Sequence, residues 1–521
     1  MPLYRIPSAL LLVVLWATSV HATPADDPAW RNFQHALGQV PLIGANADHP
    51  RANSPYRPIP RREPDTIDRQ RFELGSDLFH DARLSSDNSV ACVTCHAGAL
   101  SGADRRRVSV GVDGARGRFN ALSVFNAGFN FRQFWDGRVV TMEDQALEPI
   151  QDEREMANTL NAALEMLLND PDYPAQFQAA YPDGVTVLNM ADAMAHFQRV
   201  RFVRWNTPFQ RHLSGDDDAM GEQARRGWER FEALGCVSCH NGINLGGNSY
   251  QKLGAMSPYY GAEREAGPDD VGVAERSGRD RDRHVFRVPA LHGVATTPPY
   301  LHDGSISTLE AAIEVMGEHQ LGRQLSQQDI DDLSAFLRAL GGSLAERHRV
   351  ELPEPSDGAE PAVDDPEAVH ESAYAQAIVA VEQAYEQLLQ AMQQIHDSEV
   401  EHFDFLQAAH LELIRHARAL HHPPSSLDRH QQGMLVSAAQ ELLDAMNELE
   451  WPISDFLRAI AMSRVLDAHQ QESGGQISSG IDSSISEQQM QREVAMQRIS
   501  QVDLDEPLSR IRDTYPHSPG D

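Results

Sequence analysis

The residues with the plainest chemistry are two copies of one pentapeptide, Cys92-Val-Thr-Cys95-His96 and Cys236-Val-Ser-Cys239-His240. They hold all four cysteines of the 521-residue chain. Cys-x-x-Cys-His is the spacing of c-type haem attachment: two thiols form thioethers to the porphyrin vinyl groups, and the adjacent imidazole binds the iron. Two disulfides, or one zinc site built from four thiolates, are the plain alternatives. A zinc ribbon separates its cysteine pairs by about 15–20 residues, whereas 140 residues lie between Cys95 and Cys236. Neither alternative explains a histidine directly after each pair. The chain therefore reads as carrying two covalently bound c-type haems, with no cysteine left for a disulfide.

The elements that must position these motifs follow from hydrophobic spacing. Residues 1–22 have the form of a signal peptide. Arg5 precedes the apolar run Ala9 to Trp16, and small residues at Val20-His21-Ala22 suit cleavage after Ala22. That run is far shorter than the ~20 residues of a bilayer span; no later stretch is long enough, so no membrane span is expected and the periplasm is the expected location. A first unit, 23–205, is expected to hold a helix over Asp68–Phe79, the first haem motif and an amphipathic helix near Ala157–Asn169. A second unit, 206–348, repeats the plan, with a helix over Glu222–Leu234 feeding into Cys236 and a closing helix over Gln327–Leu340. Residues 349–372 are rich in Pro, Asp, Glu and Ala, which marks an acidic linker.

From 373 to 470 apolar stripes at helical spacing suggest an up-down bundle, with Pro423-Pro424 forcing one stop and Trp451-Pro452 marking a turn before the last helix. Residues 471–521 are Ser-, Gln- and Asp-rich and read as a disordered tail. The expected fold class is mainly α: two cytochrome c-like haem domains, then an α-helical bundle and that tail. A formal net charge of −32 makes nucleic acid an improbable partner.

The stretch from about Phe72 to Gly342 resembles the bacterial di-haem cytochrome c peroxidases and their MauG-type relatives. The matching segments are Leu78-Phe-His-Asp-Ala-Arg-Leu-Ser85, the first haem motif, Phe134-Trp-Asp-Gly-Arg138, Glu155-Met156, the second haem motif, Pro298-Pro-Tyr-Leu-His-Asp-Gly304 and Gln320-Leu-Gly322. The resemblance implies that His96 is the proximal ligand of a peroxidatic haem. His240 would then be the proximal ligand of an electron-transfer haem, and Met316 its opposite ligand. Met316 lies fourteen residues after His302, on a helix opening at Ser307-Thr-Leu-Glu310, which has capping-box form. A thioether opposite imidazole raises a haem potential and suits electron storage. The resemblance further makes Glu155, twenty residues after Trp135, a general acid/base, Gln145 an orienting residue beside it, and Trp135 an electron relay between the haems. It also implies one calcium ion held by Asn120 and the carbonyls of Thr297 and Pro299.

Two departures qualify the resemblance. Where the peroxidases place a histidine that blocks the resting peroxidatic iron, this chain has Ser109-Val-Gly-Val112, and no histidine lies between His96 and His196. MauG-type proteins share that absence but carry tyrosine where this chain has Met316. The other departure is Leu291-His292-Gly293, where relatives commonly have Leu-Arg-Asn, which bears on the surroundings of the second haem's propionates.

The expected activity is that of an oxidoreductase, a peroxidase reducing hydrogen peroxide to water with electrons from a small cytochrome c or copper protein. The alternative is a MauG-type oxidase of Trp or Tyr side chains in a partner protein. A pure electron carrier or redox sensor is a third class, which an open iron beside Glu155 disfavours. The bundle, with seven scattered histidines from His396 to His430 read as solvated, would serve docking or oligomerisation, a homodimer among the assemblies allowed.

Overall fold

The computed structural model describes residues 67–261, 264–268 and 270–341, positions 56, 58 and 59, and, in the C-terminal part, 374–390 and 406–423 in part, 427–472, 479–499 and most of 501–515. The expected signal peptide and acidic linker, with His396, His402, His421 and His422, lie outside the described residues.

The two haem-motif halves are built alike. In the first, α1 (Arg69–His80) starts at Asp68, whose carboxylate accepts from the Arg71 amide, and turns Leu74, Leu78 and Phe79 inward. After α2 (Met142–Gln151), α3 (Leu160–Asn169) and α4 (Tyr173–Ala180) comes α5 (Val187–Arg201), which packs across α1. Thr159 caps α3, so its start falls three residues after the expected Ala157. In the second half, α6 (Pro208–Leu213) leads to α7 (Glu222–Ala233), which packs across the closing helix α9 (Gln327–Ala339). A capping box between Ser326 and Asp329 opens α9. Between α7 and α9 lie a short antiparallel pair, β1 (Tyr250–Lys252) with β2 (Val285–Arg287), and α8 (Leu309–Val315). Thr308, not Ser307, caps α8 and accepts from the Ala311 amide. The N-cap is thus displaced by one residue, the expected capping box does not form because N3 is Ala311, and Glu310 instead pairs with Arg338.

Both helix crossings depend on a glycine. A Cβ on Gly75 would stand 2.0 Å from the Ala193 carbonyl oxygen, and one on Gly227 would stand 1.9 Å from that of Asp332. Backbone meets backbone at both places, which lets each α1/α5 or α7/α9 pair close over the haem motif that follows its first helix.

The C-terminal part corrects two expectations. One helix, α10 (Arg429–Glu472), runs unbroken through Trp451-Pro452. Proline inside a helix costs about 3 kcal/mol through the lost hydrogen bond and the ring clash. Beyond it Ile453, Phe456, Leu457 and Ile460 are buried in the bundle core, each worth ~1.5–3 kcal/mol, so packing outweighs the breaker. Much of the span expected to be a disordered tail is helical: α11 (Ser479–Ile499) and α12 (Asp505–Thr514) pack on α10. Leu504, Leu508, Ile511 and Tyr515 recur at helical spacing and are buried, a stripe that the polar average composition hides.

Replacing Gly227 with valine is expected to lower stability by about 1–3 kcal/mol through overpacking against Asp332, read as a fall in the thermal midpoint. An unchanged midpoint would show that the crossing tolerates a wider spacing.

Candidate functional site

Two cavities open beside the two haem motifs. The first is lined by Cys92, Cys95, His96, Ser109, Gly111, Gln145, Pro149, Glu155, Met156 and Met194, among others. Cys92–Cys95 forms a single helical turn, and the His96 Nδ1 lies 3.0 Å from the Gly102 carbonyl. That bond makes Nδ1 the protonated nitrogen and leaves Nε2 as a lone-pair donor, the arrangement of a metal-binding imidazole with its ring fixed from behind.

Gln145 comes from α2, and Glu155 from the tight turn after it. The Glu155 amide donates to Asp152, and its carbonyl accepts from Val112 at 2.9 Å. Met156 is tied to Pro149 and Ser86, and the Asn158 amide reaches the Leu84 carbonyl. Glu155 is half-buried at the cavity wall. Burial first, then Asp152, push its pKa up to about 7, against the pull of Arg138. Gln145 and Glu155 thus share one cavity with His96, and no second histidine among the described residues lines it.

The second cavity is larger and mostly apolar. Cys236, Cys239, His240 and Met316 line it with Trp135, Leu253, Phe286, Leu301 and Ile313. The His240 Nδ1 lies 3.2 Å from the Leu245 carbonyl, and burial pushes its pKa down to about 4, so the ring is held neutral. Met316 ends α8 and begins a π-turn, Met316–Gln320, a distortion common at functional sites. Trp135 borders this cavity and not the first. Its indole N–H donates to the Asn120 carbonyl at 2.9 Å. Asn120, Thr297 and Pro299 border the same cavity. The Asn120 amide nitrogen donates to Arg106 at 2.8 Å, which leaves its oxygen as the acceptor.

The structure bears on the competing readings of the cysteines. All four thiols are unpaired, burial raises Cys92 and Cys236 to about 12, and among the described residues no three His, Cys, Asp or Glu side chains gather as a metal cluster. Neither disulfides nor a four-thiolate site is formed. Each cysteine pair instead faces its own cavity beside its own histidine.

Residues 69–218 match the family model described as di-haem cytochrome c peroxidase. A cytochrome c551 peroxidase of Nitrosomonas europaea is 38% identical over 292 residues, covering 56% of this chain and 85% of that protein. This chain belongs to the di-haem cytochrome c peroxidase family. The cytochrome c peroxidase Ccp of Escherichia coli is 40% identical over 291 residues, and the match spans 62% of its length. The methylamine utilization protein MauG of Methylophilus methylotrophus is 29% identical over 311 residues, covering 57% of this chain and 89% of that protein.

Membership of the di-haem family implies two haems, and the residues present fit them. Beyond the paired thiols and oriented imidazoles, Arg287 is buried in the wall of the second cavity, its Nε on the Phe134 carbonyl and its Nη1 without a protein acceptor. An orphaned buried guanidinium suits a haem carboxylate. His292, at the departure from the relatives' pattern, is buried with Nε2 on the Ile243 carbonyl, and burial lowers its pKa to about 4. It stands there as a neutral ring, so Arg287 is the cation of that wall.

Sequence reasoning missed the contribution of the C-terminal helices. Met462 and Val465 of α10 line the second cavity, and Cys239 packs against the bundle core. About three turns earlier in the same helix, Glu450 is buried between both halves. Its carboxylate takes Arg132 at 2.8 Å and Arg276 at 2.6 and 2.7 Å, with the Tyr250 hydroxyl at 3.3 Å. Burial alone would raise the Glu450 carboxyl, but the two guanidiniums outweigh it and hold it below its ordinary value. Trp451 lies beneath Arg276 and Arg279 at 4.5 and 5.0 Å. His410, expected to be solvated, is buried on the Met446 carbonyl.

Glu450→Ala would leave two buried guanidiniums without their anion. A loss of ~3–5 kcal/mol is expected, measured by thermal or urea unfolding at neutral pH. Stability equal to that of the unaltered chain would show that the clamp does not hold the module in place.

Proposed function

We propose that this chain is a periplasmic di-haem peroxidase that reduces hydrogen peroxide to water. Two haems would be joined by thioethers to Cys92 and Cys95 and to Cys236 and Cys239. The observation that carries the reading is the first cavity: an imidazole fixed from behind, a carboxylate with its pKa near neutrality, and no second histidine among the described residues. Haem bound there would supply the iron at which peroxide accepts two electrons.

The chain's own residues supply the proton chemistry. Glu155, ionised, takes the proton from one peroxide oxygen and returns it to the other, so that the departing oxygen leaves as water. Gln145 orients the peroxide by its amide. With two electrons and two protons, one peroxide yields two waters. A pKa near 7 suits both halves of that transfer, because the group gives up its proton as readily as it takes one.

Electrons would enter at the second cavity, where His240 and Met316 would hold the haem iron, from a small cytochrome c or copper protein, and pass Trp135 to the first. Calcium at Asn120, Thr297 and Pro299 would stiffen the wall that Trp135 shares; neutral amide and carbonyl oxygens suit that ion. The absence of a second histidine from the first cavity also favours a second reading, a MauG-type oxidase of aromatic side chains in a partner. Met316 in the second cavity weighs toward the peroxidase.

Glu155→Gln is expected to cut peroxide turnover about 100-fold or more while both haem spectra stay nearly unchanged; equal turnover would remove Glu155 from the mechanism. The raised pKa makes Glu155 neutral below about pH 7. Turnover of the unaltered enzyme is therefore expected to fall as pH drops through that value, and a pH–rate profile of Glu155→Gln is expected to lack that limb.

A further inference from the structure

Trp135 touches more than the second cavity. Its indole lies edge-on to His302, ring centres 6.2 Å apart, and His302 is buried. The His302 Nε2 stands 2.5 Å from Asp270 Oδ1 and 3.1 Å from the Tyr260 hydroxyl. The Tyr260 ring is half-buried. It lies 4.4 Å from the ring of His284, which is also half-buried, and 5.0 Å from that of Tyr259. His284 is held by its Nδ1 on the Asp270 carbonyl at 2.7 Å. An unbroken file of rings therefore runs from Trp135 through His302 and ends at the partly exposed Tyr260.

We propose that Tyr260 is an exit for oxidising equivalents, a one-electron oxidation site for phenolic reductants at the protein surface. The inference rests on the peroxide-reducing reading of the first cavity. A phenol loses an electron readily only when its proton has somewhere to go, and the Asp270–His302 pair lies within hydrogen-bond reach of this one. Tyr260 gives one electron back along His302 and Trp135 toward the peroxide-reducing site, and its proton to the Asp270–His302 pair. The Tyr260 O–H bond breaks and a neutral phenoxyl radical is left. An external phenol then donates a hydrogen atom to that oxygen, which restores Tyr260 and releases a second phenoxyl radical. Run twice, one hydrogen peroxide and two phenols give two waters and two phenoxyl radicals. Trp135 is buried and cannot meet such a substrate, whereas Tyr260 reaches the surface.

The test uses the full-length haem protein, mixed with hydrogen peroxide and a nitroso spin trap, then digested and mapped by mass spectrometry. The expected result is an adduct on Tyr260. Tyr260→Phe is expected to lose that adduct and to oxidise 2-methoxyphenol roughly tenfold more slowly, with cytochrome c-linked peroxide consumption unchanged. Asp270→Asn, which keeps the phenol but weakens its proton acceptor, is expected to lose the adduct as well. Adducts elsewhere with Tyr260 bare, or undiminished phenol oxidation by Tyr260→Phe, would overturn the proposal while normal cytochrome c-linked consumption leaves the peroxidase reading standing. If the unaltered protein consumes no peroxide with reduced cytochrome c, that reading fails and this inference falls with it.

Discussion

Two backbone carbonyls, of Gly102 and Leu245, decide what the two histidines can do. Each takes the Nδ1–H of the imidazole that follows a cysteine pair, and so aims the other nitrogen at a cavity. From there the sites diverge through what else lines them. One cavity contains a thioether, an indole and a buried guanidinium in a largely apolar wall. The other contains a carboxylate and an amide, and His96 is the one histidine among the described residues that line it. On the proposed reading, the same motif serves a closed, electron-storing site and an open, reactive one. The inequality comes from α2 and the turn after it on one side, and from α8 on the other.

The C-terminal module belongs to this arrangement. Glu450 reaches Arg132 in the first half and Arg276 in the second. Arg132 lies three residues before Trp135, on a loop that is further held by Tyr250 and by Arg287, whose amide donates to the Trp135 carbonyl at 2.8 Å. A buried carboxylate between two guanidiniums gains little net energy over apolar packing, but losing one partner is costly. Its effect is to fix where the module sits. With Met462 and Val465 in its wall, α10 shapes the second cavity directly.

Much of this was legible in the chain. The cysteine pairs and the helices that flank them could be read because their chemistry demands fixed spacing, Gln145 and Glu155 came from the family resemblance, and in the structure Gln145, Glu155 and His96 do share a cavity. What was hidden is what spacing does not encode. Gly75 and Gly227 look like ordinary helix-weakening glycines until the crossing helix is seen 2 Å from an added Cβ. Pro452 reads as a break because local rules carry no knowledge of Phe456 and Leu457 buried beyond it. Glu450 reads as a solvated acid, since its partners are 318 and 174 residues away. The helices after residue 478 were obscured by a polar average that concealed one regular stripe.

The most direct test of the unequal sites is low-temperature EPR of the full-length protein as isolated and fully oxidised. The account predicts one high-spin ferric signal from the His96 site and one low-spin signal from the His240–Met316 site, with peroxide turnover beginning without prior reduction. Two low-spin ferric signals would contradict it, because the first iron would then be closed on both sides.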